Sequence, residues 1–308
     1  MKKYLLSQTG NFYKANLHCH STVSDGRWSP ERIKAEYMAN GYSIIAYTDH
    51  DKMVCHNELT DENFLAMNGY ELAVNEPGEP GFYKMCHICF VALSADLRKE
   101  NCYDFVSEHT PKCISEQMQK GRENGYFVTY NHPTWSLETY EDYSNYDGMD
   151  AMEIYNNSSA TLGFDEYNGR VYDDIAKSGK RVYCIATDDN HNAIGDSFGG
   201  FTMIKAQRLD YASVAKALKT GQFYASEGPQ IFSLTLEDNI VKIECSNAVK
   251  IALITGVIYA QVKYGTADEP ITSAEFTIFP AHKYFRIIVT DKTGKRAYTN
   301  AYFMEDIF

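Results

Sequence analysis

The chain lacks a long apolar run. Its best one, His87–Leu93, is far shorter than the ~20 residues that cross a bilayer, so no membrane span is expected. No apolar core follows the lysines of Met1–Lys14, which argues against a secretory signal and predicts a cytoplasmic protein. In that compartment the eight cysteines are expected to be free thiols rather than a disulfide framework.

Positive charge is also scarce. The 308 residues include 29 Lys and Arg against 41 Asp and Glu, a formal net charge of −12. With no basic stripe, this charge disfavours long duplex nucleic acid as a partner, although a short oligonucleotide end stays open. The hydrophobic fraction of 44% and charged fraction of 23% are those of a folded globular protein.

Two patterns divide the chain. Strand-like and helix-like segments alternate as far as about residue 225, which predicts a parallel α/β sheet, open or closed into a barrel. One of the helices should begin at Ser29-Pro30, a serine N-cap followed by proline, and end near Asn40-Gly41. After Glu227-Gly228-Pro229 only short β-rich runs remain, so residues 227–308 are predicted to be an all-β sandwich following a domain of residues 1–226.

Histidines and carboxylates recur at the predicted strand ends. The recurring residues are His18, His20, Asp25, His50, Glu71, His87, His132, Asp189 and His191. Carboxyl ends of parallel strands meet on one face, so these side chains should share a pocket. Imidazole and carboxylate ligands suit zinc, manganese or iron, and nine are too many for one ion. The pattern therefore predicts two or three divalent metal ions, whereas His56, His109 and His282 are interpreted as ordinary core or surface residues.

The ordered motifs resemble those of the PHP (polymerase and histidinol phosphatase) family. They are Asn16-Leu17-His18-Cys19-His20-Ser21, Ser24-Asp25-Gly26, Tyr47-Thr48-Asp49-His50-Asp51, Gly69-Tyr70-Glu71-Leu72, His87-Ile88, Asn131-His132-Pro133 and Asp189-Asn190-His191. The resemblance covers residues 13–225 and implies a distorted (β/α)7 TIM-like barrel, a metal cluster and phosphate-ester hydrolysis.

The resemblance also implies three ligand sets. The first set is His18, His20, Glu71 and Asp189; the second is Glu71, His87 and His132; the third is Asp25, His50 and His191. The stretch Ala73–Met85 departs from the pattern as an insertion that makes His87 the weakest assignment, with Glu76 and Glu79 as competitors. The sequence from Leu218 to Pro229, followed by a β unit, is similar to a branch of the family that includes hydrolases whose substrates are not clearly phosphates.

The expected reaction is hydrolysis of a small phosphomonoester or phosphodiester, such as a nucleotide. A divalent ion can lower the pKa of its bound water from 15.7 to about 7, and the resulting hydroxide would attack phosphorus in line. Asp49 is expected either to orient an imidazole or to cap a strand end. Arg27 and Arg170 are the candidates for a phosphate clamp. Trp135 is interpreted as a pocket wall.

Two other functions stay open at this point. The same cluster could hydrolyse a non-phosphate ester or an amide. The chain could also be a non-catalytic binding module, which the complete set of candidate ligands argues against. The sequence leaves the oligomeric state open.

Overall fold

The computed structural model describes residues 2–79, 83–97 and 108–308, and six α-helices lie within these ranges. They are α1 (Pro30–Ala39), α2 (Pro111–Glu123), α3 (Tyr140–Tyr143), α4 (Asn157–Thr161), α5 (Gly169–Lys177) and α6 (Tyr211–Lys219). The sequence prediction for α1 is confirmed: the Ser29 side chain accepts a hydrogen bond from the Arg32 backbone N–H at 3.3 Å, and the helix ends before Asn40.

Eighteen strands are formed by the described residues. The first ten are β1 (Lys3–Tyr4), β2 (Asn11–Asn16), β3 (Ile44–Tyr47), β4 (Leu65–Asn75), β5 (Met85–Ala92), β6 (Tyr126–Tyr130), β7 (Ala151–Asn156), β8 (Tyr183–Thr187), β9 (Phe201–Ala206) and β10 (Phe223–Ser226). The other eight are β11 (Ile231–Glu237), β12 (Ile240–Ala248), β13 (Lys250–Thr255), β14 (Gln261–Tyr264), β15 (Ile271–Thr277), β16 (Tyr284–Thr290), β17 (Arg296–Thr299) and β18 (Tyr302–Phe303).

The large sheet is mixed, which corrects the expected parallel sheet. Strands β2, β3 and β4 run parallel, as do β6, β7 and β8, but β5 is antiparallel to both β4 and β6. Only residues 76–84 connect β4 to β5, which suits a hairpin and is too short for a parallel crossover. Part of the predicted insertion at Ala73–Met85 is therefore the paired ends of two strands.

A closed (β/α)7 barrel is not confirmed. In the described part of the chain, the ladder runs from β9 through β2 to β8 and stays open between β8 and β9. A side chain spans this gap: Thr202 Oγ1 donates to the Ala186 carbonyl at 3.0 Å and accepts from the Ala186 N–H at 3.2 Å. The fold is thus a mixed α/β sheet whose strand ends still converge.

The C-terminal strands form two facing sheets. One sheet has the order β1-β11-β12-β15, and the other carries β14-β13-β16-β17, with β18 beside β16. Alternate residues of these strands, among them Val241, Ile243, Ile251 and Ile287, are buried between them. The sheets also reach across the predicted 226/227 boundary, because β1 pairs with β11 and β10 pairs with β17. The division into two domains stays a prediction.

A buried ion pair joins the C-terminal strands to α5. Arg286 is 2% exposed, and its Nε and Nη2 donate to the two Asp173 oxygens at 2.8 and 2.9 Å. The Tyr284 hydroxyl donates to the same carboxylate at 2.9 Å. These contacts hold α5, which follows a loop beside the candidate site, against β16.

Within the described ranges, no helix is both long and apolar enough to cross a membrane.

Candidate metal centre

All nine predicted ligands lie together; seven follow a strand or lie in a loop, whereas Glu71 lies within β4 and His87 within β5. His18 and His20 follow β2, His50 follows β3, and His132 follows β6. The strand pairing continues into the site through isolated parallel bridges, one of which joins His50 to Glu71. Seven of the nine line a cavity of about 430 Å³, and His18 and His20 lie buried against those residues.

Glu71 lies at the centre of the cluster. Its two carboxylate oxygens are within 3.5 Å of ring nitrogens of His18, His20, His50, His87 and His132. Oε1 is 3.1 Å from His87 Nδ1, and Oε2 is 3.2 Å from His50 Nδ1. Because its two oxygens face different histidines, this one carboxylate can bridge two ions.

Two further carboxylates complete the cluster. Asp189 Oδ1 is 3.1 Å from Nε2 of both His18 and His20. Asp25 Oδ2 is 3.4 Å from His191 Nε2 and 3.7 Å from His50 Nε2. Three overlapping groups can each hold an ion, with ligand atoms within 4.8 Å of one another: His18, Glu71 and His132; His18, His20 and Asp189; and His20, Asp25, His50 and His191.

The donor set fits divalent metals. Asp189 Oδ1 and His20 Nδ1 are buried, and among the described residues neither meets hydrogen-bond geometry, although Asp189 Oδ1 has two imidazole nitrogens at 3.1 Å. Buried polar atoms are normally hydrogen-bonded, so atoms packed this closely without such a bond, inside a ring of imidazoles and carboxylates, indicate a cation site. Nitrogen and carboxylate oxygen are the ligands of zinc, manganese and iron.

Neighbouring charges shift the pKa values of the buried histidines and carboxylates of the cluster. Burial disfavours charge on His20 and His132, but the neighbouring carboxylates outweigh burial and raise the pKa of each imidazole to about 9. Burial likewise opposes charge on Glu71 and Asp189, yet the surrounding imidazoles, His18 foremost, hold the pKa of both carboxyls well below its usual range. Metal ions would therefore compete with protons for the imidazole nitrogens.

Two of the predicted ligands have a strained backbone. His132 has φ 25° and Asp189 has φ 51°, values in the left-handed region that non-glycine residues seldom adopt. Glu153 Oε2 accepts the His132 N–H at 2.9 Å, and the Asp189 N–H donates to the His18 carbonyl at 3.0 Å. Such strain costs about 1–3 kcal/mol per residue and concentrates at functional sites, where surrounding bonds hold it.

The His20 carbonyl lies so close to Gly26 that the third position of the Ser24-Asp25-Gly26 motif has to be a glycine. A Cβ on Gly26 would lie 2.4 Å from the His20 carbonyl oxygen, so any side chain there would displace the loop. The Gly26 N–H instead donates to the Ser21 carbonyl at 2.9 Å. This turn brings the neighbouring Asp25 back toward the imidazoles.

Glu153 is a site residue that the sequence reasoning missed. It is fully buried on β7, and its Oε1 is 2.8 Å from His18 Nδ1 and accepts from Thr187 Oγ1 at 2.6 Å. Its Oε2 accepts from the His132 N–H and from Asn156 Nδ2, each at 2.9 Å. The carboxylate fixes the proton of His18 on Nδ1 and leaves Nε2 to face the cluster. The feature of the sequence that could have identified Glu153 is its position as an acidic residue inside the apolar run Ala151–Tyr155.

Asp49 contacts a loop rather than an imidazole. Its Oδ1 accepts from the backbone N–H groups of Ser21 and Ser24 at 2.8 and 3.1 Å, and both serine hydroxyls donate to the carboxylate as well. These bonds cap the loop of Ser21 and Ser24, which lies beyond the end of β2 at Asn16. The cap holds in place the loop that carries Asp25.

The two predicted phosphate clamps lie in different places. Arg27 lines the cavity, and its backbone N–H donates to the His191 carbonyl at 2.9 Å. Arg170 is 82% exposed on α5, donates to Asp174 at 2.8 Å and is not among the cavity-lining residues. The structure therefore does not bring Arg170 to the site, because the i, i+4 carboxylate binds it outside.

Glu76, one of the two alternative ligands to His87, and the histidines His56 and His282 have partners outside the cluster. Glu76 Oε2 accepts the Lys84 N–H at 3.2 Å, and its Oε1 is 4.0 Å from His109. His56 packs on Tyr47, and His282 stacks on Tyr259 in the C-terminal strands.

Trp135 forms one wall of the cavity. Its ring meets the His132 ring edge-on at a centroid distance of 4.9 Å and the His87 ring at 5.7 Å. Glu166, 1% exposed, accepts the Trp135 backbone N–H at 2.6 Å. Burial raises the pKa of the Glu166 carboxyl above its ordinary value.

No protein-family model and no curated protein sequence matches this chain. One similar structure is a two-domain protein from Bacteroides vulgatus ATCC 8482 containing a predicted PHP-like metal-dependent phosphoesterase; it is 15% identical, with a TM-score of 0.49, and the alignment covers 97% of this chain and 98% of that one. Another is a candidate metal-dependent phosphoesterase from Bifidobacterium adolescentis ATCC 15703, 12% identical, with a TM-score of 0.39, covering 60% of this chain and 89% of that one. The chain is therefore similar to one protein that contains a predicted PHP-like metal-dependent phosphoesterase and to one candidate metal-dependent phosphoesterase.

Proposed function

We propose that this chain is a metal-dependent phosphoesterase of the PHP family that hydrolyses a small phosphate ester at a cluster of two or three divalent ions. The observation that carries the proposal is Glu71, a buried carboxylate within 3.5 Å of five imidazoles and placed to bridge two ions. Structural metal sites close around one ion, whereas bridged sites beside an open cavity are typical of hydrolases.

The residues divide into three proposed ligand sets. His18, His20, Glu71 and Asp189 would hold the first ion; Glu71, His87 and His132 would hold the second; Asp25, His50 and His191 would hold the third. His20 also lies within reach of the third set, since its Nδ1 is 3.7 Å from Asp25 Oδ1. Zinc, manganese and iron all suit this nitrogen and oxygen donor set.

Divalent ions here would acidify water and neutralise charge on the phosphoryl oxygens. The chain's own residues position the reactants. Glu153 and Ser136 fix the rings of His18 and His132 through bonds to their Nδ1 atoms, at 2.8 and 3.1 Å. Arg27, on the cavity wall, supplies a planar guanidinium that can pair with two phosphoryl oxygens at once. The half-buried Trp135 packs edge-on against the His132 and His87 rings in the cavity wall, where it would limit the entry of water to these two imidazoles.

The test combines metal content with hydrolysis. Protein purified without chelators is analysed for metal and assayed with p-nitrophenyl phosphate, bis-p-nitrophenyl phosphate and p-nitrophenyl acetate. We expect two or three ions per chain and turnover of at least one phosphate ester. Glu71→Gln should lower both metal content and turnover, whereas Glu275→Gln, an exposed glutamate of β15, should leave both unchanged.

Two other outcomes of this test would contradict the proposed function. Turnover of the acetate alone would replace the phosphoesterase assignment with that of a carboxyl esterase at the same centre. Failure to bind metal, even after incubation with zinc, manganese or iron, would refute the metal centre itself. Arg27→Ala should raise KM for the phosphate ester, while Arg170→Ala should leave KM unchanged because Arg170 lies outside the cavity.

A further inference from the structure

The cavity above the cluster has an apolar rim, formed by Trp135, Leu162 and Ile194. Leu162 is 54% exposed and Ile194 is 46% exposed. Large apolar side chains left open to solvent at a cavity that also holds charged groups are typical of a surface that a ligand covers.

The rim is held in position by buried polar residues. The Trp135 N–H is bound by Glu166, which also accepts from Asn168 Nδ2 at 2.7 Å. Ile194 belongs to a loop closed by Asp196, a 1% exposed carboxylate that accepts the N–H groups of His191 and Asn192, each at 3.0 Å. A rim fixed before binding costs less ordering entropy when a ligand covers it.

Leu162 is fixed by the short helix that follows β7. It caps α4, and its N–H donates to the Ser158 carbonyl at 3.1 Å. The cap places the side chain at the cavity beside Ser158 and Ser159. Three separate segments of the chain therefore converge to form the rim.

Positive charge is limited in the same cavity. Among the described residues that line it, Arg27 is the one Lys or Arg side chain. A guanidinium and the metal ions can neutralise one phosphoryl group. A second phosphate on the leaving group would meet Trp135, Leu162 and Ile194 with the neutral hydroxyls of Ser158 and Ser159, and no further Lys or Arg, so its charge would lose hydration without gaining a charged partner.

We propose that the substrate carries a single phosphoryl group and an apolar leaving group, such as an aryl group, which the rim covers. This inference rests on the proposed phosphoesterase function and names the substrate class of the same site. In the reaction, a water oxygen bonds to phosphorus, the P–O bond to the leaving group breaks, and the leaving oxygen takes a proton. The products are phosphate and an apolar alcohol or phenol.

The test compares phenyl phosphate with 2-naphthyl phosphate, two aryl esters that differ by one fused ring. The wild type should have the higher kcat/KM on the naphthyl ester, by about tenfold, because the extra ring fills an apolar pocket. Leu162→Ala and Ile194→Ala should each reduce this ratio through KM of the naphthyl ester, because rim contacts form equally in the ground and transition states. Leu162→Met should restore the ratio. Ile240→Ala, at an exposed position of β12, is the matched control and should leave it unchanged.

The outcomes separate this proposal from the proposed function. Hydrolysis of both esters with equal kcat/KM, or a ratio that Leu162→Ala does not change, overturns the apolar rim and leaves the phosphoesterase intact. Hydrolysis of neither ester counts against the phosphoesterase, and the rim is then tested by calorimetric binding of 2-naphthol to the metal-loaded protein. Binding weakened by Leu162→Ala supports an apolar ligand at the rim, and the absence of binding overturns it.

Discussion

Replacing Glu153 by glutamine tests whether a residue outside the proposed ligand sets controls metal binding. The carboxylate accepts four hydrogen bonds, two at each oxygen, from His18, His132, Asn156 and Thr187. Glutamine keeps the shape but offers an NH2 group in place of one oxygen. We expect Glu153→Gln to fold and to bind metal more weakly.

The structure shows why neither orientation of the amide fits. An NH2 group at the Oε2 position would face two other donors, the His132 N–H and Asn156 Nδ2. At the Oε1 position it would donate to His18 Nδ1, so the imidazole proton would move to Nε2, the atom that faces Glu71 and Asp189. Loss of such a partner typically costs 10–100-fold in metal affinity, or about 1.4–2.7 kcal/mol.

The assay is competition for zinc with a chromophoric chelator, at one pH and after circular dichroism has verified the fold. Glu244→Gln, at an exposed position of β12, is the control and should bind zinc as the wild type does. A zinc affinity for Glu153→Gln within threefold of the wild type would refute the argument that this carboxylate fixes the His18 tautomer.

Three further predictions concern protonation, the Asp25 loop and the buried ion pair. In the metal-free protein, carboxylates raise the pKa of His20 and His132 from 6.5 to about 9, so their stabilisation is complete below pH 6.5 and is lost as pH rises through 9. Urea unfolding of chelator-treated protein should give a lower free energy of unfolding at pH 9.5 than at pH 7, and an equal or higher value contradicts this. Asp49→Ala removes the acceptor for the Ser21 and Ser24 N–H groups, so the loop that carries Asp25 should loosen. Elemental analysis of this variant should find about one ion fewer per chain. Full metal content would show that the cap is dispensable. Arg286→Met leaves the Asp173 carboxylate without its buried partner and should lower the free energy of unfolding by about 3 kcal/mol. Arg208→Met breaks a solvent-screened, exposed pair with Asp210 and should lower it far less. Equal losses for the two arginine variants would contradict the weight given to burial.

Local sequence patterns were enough to predict where α1 begins and that the histidines and carboxylates share one pocket. The Ser29-Pro30 pair predicted the start of α1 because a serine side chain and a proline φ satisfy the first turn without distant contacts. Histidines and carboxylates at strand ends predicted a shared pocket because parallel strands such as β2 and β3 end on the same side of a sheet. These signals depend on neighbours in sequence, so they can be read from it.

Only the tertiary structure decided the partners of each side chain. Glu153 lies 135 residues from His18 in sequence, and nothing local indicates that the two side chains meet. Arg27 and Arg170 are equivalent as sequence candidates, yet Asp174 binds Arg170 on the surface and the Asp25 loop places Arg27 in the cavity. The antiparallel β5 and the opening between β8 and β9 follow from connection lengths and long-range pairing. Sequence periodicity does not encode these pairings, because they depend on which distant surfaces pack together.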